Sequence, residues 1–306
     1  MAMSTVNWVE MQGSIQEIYD AEKKKRVDYS KGMFNFSNSD RDVDKHLGVG
    51  GIGLMDEWDG QISEEEINKG YLTTYNQVKY SKAIRLTQDM LQFKNYQRVK
   101  DKVTQLAKTV VKTMNYWSAY YINNAWDSSV TGGNSAGVAL ASNAHRICPG
   151  DSTGNQNNTT NNVMNIDNIE SMRIAARGWL DDKGQIMDIN LDTIICGTYW
   201  EKTAMQICGS DKEPFSANNE VNIYRKGASS GLKYMVNPNI TGTKWALVDH
   251  MEMTGGSGLN WIWGQKPGSP ELERDYTTHV ATYSTWGWWT HGWDSWFWGY
   301  FSQGTT

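Results

Sequence analysis

Ser142 and His145 stand three residues apart in "ASNAH", and Asp151 follows six residues later. Hydroxyl, imidazole and carboxylate are the groups a hydrolytic relay needs. A Ser-His pair at this spacing is common by chance, however, and the sequence offers nothing to align the three. "GASSG" at Gly227 to Gly231 satisfies the G-x-S-x-G pattern around Ser229, yet a nucleophile elbow must be a strand-to-helix turn. Strand-like "VNIYRK" and "LKYMV" flank it, which predicts a hairpin loop. "GVGGIG" at Gly48 to Gly53 has dinucleotide-loop spacing, but an acidic loop follows where a helix N-terminus would be required.

The five histidines (His46, His145, His250, His279, His291) show no H-x-x-x-H or H-E-x-x-H spacing, and none lies beside a cysteine at metal-ligand distance. Carboxylates cluster as "DEWDG" (Asp56 to Gly60) and "SEEEIN" (Ser63 to Asn68), in polar stretches that predict no apolar pocket. The expectation is a chain without catalytic residues, cofactor or metal. What it has in excess is indole: "TWGWWTHGWDSWFWGYF", Thr285 to Phe301, holds six tryptophans. Such a run suits an exposed sugar platform, a membrane-interface belt, or strands with buried aromatic faces.

The chain as a whole narrows that choice. Its 306 residues are enough for one large domain or two. With 29 Lys+Arg against 34 Asp+Glu, the net charge of −5 gives no global footprint for nucleic acid, though a local basic patch is compatible with it. Cys148, Cys196 and Cys208 are odd in number and far apart, which predicts reduced thiols and cytoplasmic synthesis. The N-terminal residues carry no secretory pattern, and no window approaches the ~18 apolar residues of a membrane span. A membrane belt therefore lacks its span, and the sequons at Asn157 and Asn239 carry little weight.

The elements that must position these residues follow from periodicity. Ile15, Ile18 and Tyr19, followed by "AEKKKRVD", form a short amphipathic arm. Tyr29 to Gly70 is polar and Gly/Asp-rich, with nothing that builds a core. From Leu72 to Leu86 one parity holds Leu72, Val78, Tyr80, Ile84 and Leu86, predicting one long half-exposed strand. Val99, Val103, Leu106, Ala107, Val110, Met114, Trp117 and Tyr121 step by three and four, predicting a helix from Thr87 or Asp89 to Trp126, ~55–60 Å at ~1.5 Å per residue. Its cations Lys94, Arg98, Lys102, Lys108 and Lys112 make a mild positive stripe on an otherwise solvated face.

A polar loop, Gly150 to Asn162, is predicted not to be ordered by its own contacts. A compact α/β part follows: a helix starting at Asp167 with Glu170 in capping-box spacing, a buried strand in "TIICG", and a helix at Tyr199 to Ile207. Strands are predicted at Val221 to Arg225, Leu232 to Val236 and Trp245 to Val248. A closing strand pair, Tyr276 to Trp289 and Ser295 to Phe301, would turn at "THGWD". Helices and strands are segregated, so the fold class is α+β.

Four passages in this order and spacing carry a resemblance: "EWDGQISEEEINKGYLTTYNQVKYSKAIRLTQDML", "GVALASNAHRICPG", "LKYMVNPNI...KWALVD" and "TWGWWTHGWDSWFWG". Together they cover about four fifths of the chain, which resembles a tailed-bacteriophage major capsid protein of the Hong Kong 97 type, most like the Mu-like major head subunit branch. The resemblance implies residues 1–28 as N-terminal arm, 29–86 as extended β loop, 87–129 and 271–306 as a peripheral domain with the long spine helix and C-terminal strands, and 130–270 as an axial α/β domain.

It also implies self-assembly as hexamers and pentamers of an icosahedral shell around double-stranded DNA. Portal and scaffold or decoration proteins would be partners, contact with packaged DNA would be weak and sequence-blind, and the protein would reside in the virion, reached from the host cytoplasm. No ~100-residue helical prodomain precedes the loop, so a separate scaffold or none is expected, and no Lys/Asn cross-linking pair is matched. The subunit interface is expected at Glu57, Trp58, Asp59, Tyr71 and Tyr75 of the loop and at Trp286, Trp288, Trp293 and Trp296 of the aromatic strands. An encapsulin-like nanocompartment shell, or a carbohydrate-binding virion protein using the C-terminal tryptophans, are the competing expectations.

Overall fold

The computed structural model describes residues 6–58, 60–62, 64–87, 90, 96–151, 153–214, 220–228, 230–275 and 280–305. Two five-stranded sheets and a long helix form one continuous apolar core. Helix α1 is Val6–Lys24, α2 is Tyr96–Asn123, α3 is Ile166–Arg177, α4 is Glu201–Gly209 and α5 is His250–Thr254. The strands are β1 Asn35–Asn38, β2 Val43–Val49, β3 Lys69–Asn76, β4 Val78–Thr87, β5 Thr159–Thr160, β6 Thr193–Cys196, β7 Lys233–Val236, β8 Trp245–Val248, β9 Leu259–Gln265, β10 Glu271–Asp275, β11 Val280–Trp293 and β12 Gly299–Ser302.

The spine helix α2 buries Val99, Val103, Leu106, Ala107, Val110 and Met114, the stripe that the three-and-four spacing predicts. Its 28 residues span about 42 Å at ~1.5 Å per residue, less than the predicted length. The N-terminal discrepancy is partly one of type: Thr87 belongs to β4, while Asp89 lies outside the described residues. At the other end Lys244 Nζ donates to the Asn123 carbonyl at 2.7 Å, satisfying an end-of-helix acceptor with a cation where the helix dipole favours one.

Strand β11 organises the first sheet. Along Val280–Trp289 it pairs antiparallel with β4. Its other edge takes β10 at Ala281 to Ser284 and β9 beyond Trp288, and β1 joins β9 in parallel. The odd-numbered face, Ala281, Tyr283, Thr285 and Trp289, is buried, whereas Trp286 and Trp288 on the even face are half-buried. The second sheet runs β5-β12-β8-β6-β7, with β6 and β8 buried at every position. A separate two-stranded ladder, β2 with β3, carries the extended loop.

Several expectations need correction. The closing strands are not a pair: β11 continues through "THGW", and β12 lies in the second sheet against β8. Aromatic side chains favour extended backbone through His291 and Trp293, so the expected turn does not form. The long strand after Gly70 is two strands in two ladders, β3 burying Thr73 and Tyr75 and β4 burying Leu86, with the inward parity changing at Gln77. Residues 29–38 are not coreless, because Met33 and Phe34 are buried and Asn35–Asn38 enter the first sheet.

The polar loop before α3 is built in rather than loose. Asn158 is fully buried and its side chain donates to the Leu140 carbonyl at 2.9 Å, and β5 pairs with β12. Helix α3 is capped by Asn165, which accepts from the Asn168 N–H, not by Asp167. Val221 to Arg225 holds a single bridge at Val221 and then turns. Strand β9, which brings Trp261 and Trp263 into the core, has no counterpart among the predicted elements.

Candidate assembly surface

The hydrolytic relay is not assembled. His145 is buried, stacks on Trp296 at 4.6 Å, and pairs through Nε2 with the Leu140 carbonyl at 3.1 Å. Burial pulls its pKa down to about 4, so the ring is neutral. Ser142 Oγ accepts from the Ala144 N–H, and Asp151 accepts from Ile147 and Thr153 as a loop brace. A cleft of about 110 Å³ beside His145 is lined neither by Ser142 nor by Asp151. Ser229 lies outside the described residues. Among the described residues no His, Cys, Asp and Glu gather to hold a metal.

The six-residue run "GVGGIG" has a structural use instead. Gly51 N–H donates to Asp182 Oδ1 at 2.6 Å, Asn68 Nδ2 donates to Asp182 Oδ2 at 2.8 Å, and Gly50 N–H closes on the Asn68 carbonyl. Burial raises the Asp182 carboxyl, but these donors outweigh it and hold the pKa below the ordinary value. Beside this clasp Lys183 pairs with Glu65 at 2.6 Å, which also accepts from Gly53 N–H. The loop is thereby tied back to the α3–β6 connection of its own chain.

A second anchor sits at the loop's root. Asp294 accepts from Tyr75 Oη at 2.7 Å and Asn260 Nδ2 at 2.9 Å, and faces His46 Nδ1 at 2.8 Å. Its carbonyl takes Asn134 Nδ2. Burial, reinforced by the Asp294 charge, pushes the Tyr75 phenol well above its ordinary value. One carboxylate therefore joins β2, β3, β9 and the end of β11. Gly133 makes this approach feasible: its φ is +92°, and a Cβ there would meet the Thr74 carbonyl oxygen at 2.2 Å.

Beyond the Asp182 clasp the loop's tip is bare. Met55 is 98 % exposed, Ile62 82 %, Leu54 78 % and Trp58 70 %. Asp56, Glu57, Glu64 and Glu66 are exposed around them. Trp58 has no ring partner among the described residues, and Asp59 lies outside them. Tyr71 is half-buried and Tyr75 is buried in the root.

The aromatic strands divide in two. Trp293 and Trp296 are buried inside the chain, so neither offers surface to a second copy, contrary to expectation. Trp296 packs on His145 and Trp179, and Trp289 stacks on Tyr80 at 4.0 Å. Trp286 and Trp288 keep half-open faces, with Lys79 Nζ lying 4.8 and 5.5 Å from their ring centroids. Lys82 and Arg85 of β4 are exposed on the same strand as Lys79. Sequence reasoning missed Asp182, Asp294 and Asn260. Their signal is weak, since a lone carboxylate or amide acquires its role only from partners brought in by the fold.

A membrane span is not part of this surface, as no described helix is long and apolar enough to cross a bilayer. No curated protein sequence matches the chain. Among solved structures it is similar to the capsid of an empty GTA particle, with a TM-score of 0.55, 9 % identity, and 90 % of each chain covered. The virus-like particle from Pyrococcus furiosus gives a TM-score of 0.55 at 9 % identity, covering 96 % of this chain and 99 % of that one. The capsid of Myoviridae phage XM1 gives 0.52 at 8 %, covering 89 % and 90 %. At such identity these likenesses speak for the fold, which is the Hong Kong 97-type capsid fold expected from the sequence. The family model described as phage capsid protein matches residues 70–300, from the root of the extended loop to β12. With three quarters of its length inside that match, the chain belongs to the phage capsid protein family and is a shell-forming component of the virion.

Proposed function

We propose that copies of this chain assemble as hexamers and pentamers of a closed icosahedral head around double-stranded DNA, and that the role is structural rather than catalytic. The observation that carries this reading is the bare apolar tip beyond the Asp182 clasp. Burying Ile52, Leu54, Met55, Trp58 and Ile62 would contribute on the order of 10 kcal/mol gross, at ~1.5–3 kcal/mol per side chain. Much of that is consumed by the cost of association, which leaves individually modest contacts suited to a repeating lattice.

The receiving surface in this reading is the half-open strip of Trp286 and Trp288 with Lys79 and Arg85, which the β4–β11 register places on one face. It is basic and aromatic where the tip is acidic and apolar, through Asp56, Glu57, Glu64 and Glu66. Glu57, Trp58, Tyr71, Trp286 and Trp288 thus stay as interface residues, with Tyr75 supporting the loop from inside. The domain division keeps its arm, loop, peripheral and axial parts. Strand β9 (Leu259–Gln265) groups with the peripheral sheet and β12 (Gly299–Ser302) with the axial one, according to their pairings. Portal, scaffold or decoration proteins are further partners of such a head.

Trp58→Ala tests the reading. The isolated subunit should keep its fold and melting temperature, because the side chain is exposed. Sedimentation should show the concentration needed for shells rising at least about tenfold, as for loss of a hot spot worth ~1.4 kcal/mol or more. Shells forming at the parent concentration would remove the tip from the interface.

A further inference from the structure

We propose that a cationic ridge, formed where the end of α1 lies along the middle of α2, binds the phosphate backbone of double-stranded DNA without regard to sequence. The inference rests on the shell reading above and names the surface that meets the genome. The chain is acidic overall, yet residues 22–31 and 98–112 hold ten Lys and Arg against three carboxylates, Glu22, Asp28 and Asp101. Folding brings the two segments together: Asn115 accepts from the Tyr29 N–H at 3.0 Å and donates to the Val27 carbonyl at 2.9 Å. Lys108, two turns before Asn115 on the same helix face, acts electrostatically on Glu22. Lys112 lies between them, so Lys24, Lys25, Arg26, Lys108 and Lys112 share one side of the molecule.

The available acids are already engaged. Glu22 is paired with Lys25 at 2.7 Å, and Asp28 caps the turn at Ser30. Lys23 and Lys102 are spent on the Pro267 and Arg85 carbonyls. Lys24, Arg26, Lys31 and Lys112 are exposed and have no carboxylate partner among the described residues. A protein partner would call for an apolar centre. Here Val27 and, a turn beyond Lys112, Tyr116 are the large apolar side chains left exposed, and the Tyr116 ring already packs on Trp117 and Tyr120 of its own helix. Dense, exposed, unpaired cations with little apolar surface fit a phosphate backbone, whose binding is driven by release of condensed counterions.

The test is a salt titration of the full-length chain with a labelled duplex of about 30 base pairs and random sequence, read by fluorescence anisotropy. The expected slope of log affinity against log salt is about −4, as for four or five phosphates neutralised. The variant Lys24→Gln, Lys25→Gln, Arg26→Gln, Lys112→Gln should weaken binding at least about tenfold near 0.1 M salt and flatten the slope, and four Arg at these positions should restore it. A control with equal charge loss elsewhere, Lys45→Gln, Lys69→Gln, Lys202→Gln, Lys226→Gln, all exposed and outside both the ridge and the interface strip, should bind the duplex nearly as the parent does. Unchanged affinity in the ridge variant, an equal loss in the control, or tighter binding of poly-glutamate than of duplex would overturn the proposal. Electron micrographs of the same preparations score shell formation separately, so failure of assembly and failure of the ridge are distinguishable.

Discussion

His145 and His291 show how single residues set the conditions under which the chain stays folded. Both are neutral in the core, burial pulling their pKa values from 6.5 to about 4 and about 3. The unfolded chain takes up protons near pH 6.5 while the folded chain does not, so each histidine leaves stability intact above that pH. Stability then falls as pH drops through the window down to the folded value. For His145 the loss is roughly 3 kcal/mol across pH 6.5 to 4, at ~1.4 kcal/mol per unit. Denaturant melts of His145→Gln should show a shallower acid decline than the parent, whatever the absolute stability after loss of the Trp296 stack. An identical slope would mean that His145 is protonated in the folded chain. From sequence these histidines are only five scattered imidazoles. Their burial depends on Trp296, Tyr121 and Trp261, which come from other parts of the chain.

Among the elements, the extended loop is a two-stranded ladder with an anchor at each end and a bare tip beyond the outer one. Asp294 is the root anchor, and Asp294→Asn keeps the shape while weakening the hydrogen bonds from Tyr75 and Asn260 and removing the charge facing His46. Amide exchange in β2 and β3 should speed up by about tenfold or more, while β6 and β8 in the second sheet exchange as before. Equal protection in β2 and β3 would show that backbone pairing alone holds the loop. The spine helix was legible because its stripe of Val, Leu, Ala and Met repeats over many turns, and "TIIC" and "WALV" because buried strands are continuous apolar runs. The partition of the aromatic strands was not. Strand alternation by itself puts Trp288 and Trp289 on opposite faces, but nothing local says that β11 passes through "THGW" into one sheet and β12 into another. Likewise the change of face at Gln77 depends on β3 pairing with β2 and β4 with β11, which is decided far along the chain.

At the scale of the whole molecule, indole serves chiefly as filling. Trp261, Trp289, Trp293, Trp296 and Trp298 are buried, leaving Trp286 and Trp288 of the closing run half-open. That arrangement disfavours a broad sugar platform, which needs several rings free. The rigid plate of spine and two sheets presents an apolar, acidic flap at one place, a basic aromatic strip at another and a cationic ridge at a third. The most direct measurement is electron microscopy, with sedimentation, of the purified parent chain over a rising concentration series. The account predicts closed, uniform hollow particles above a threshold, and their loss at the same concentration in Trp58→Ala. A chain that stays monomeric at the highest concentration, with Trp58 fluorescence unchanged throughout, would contradict it.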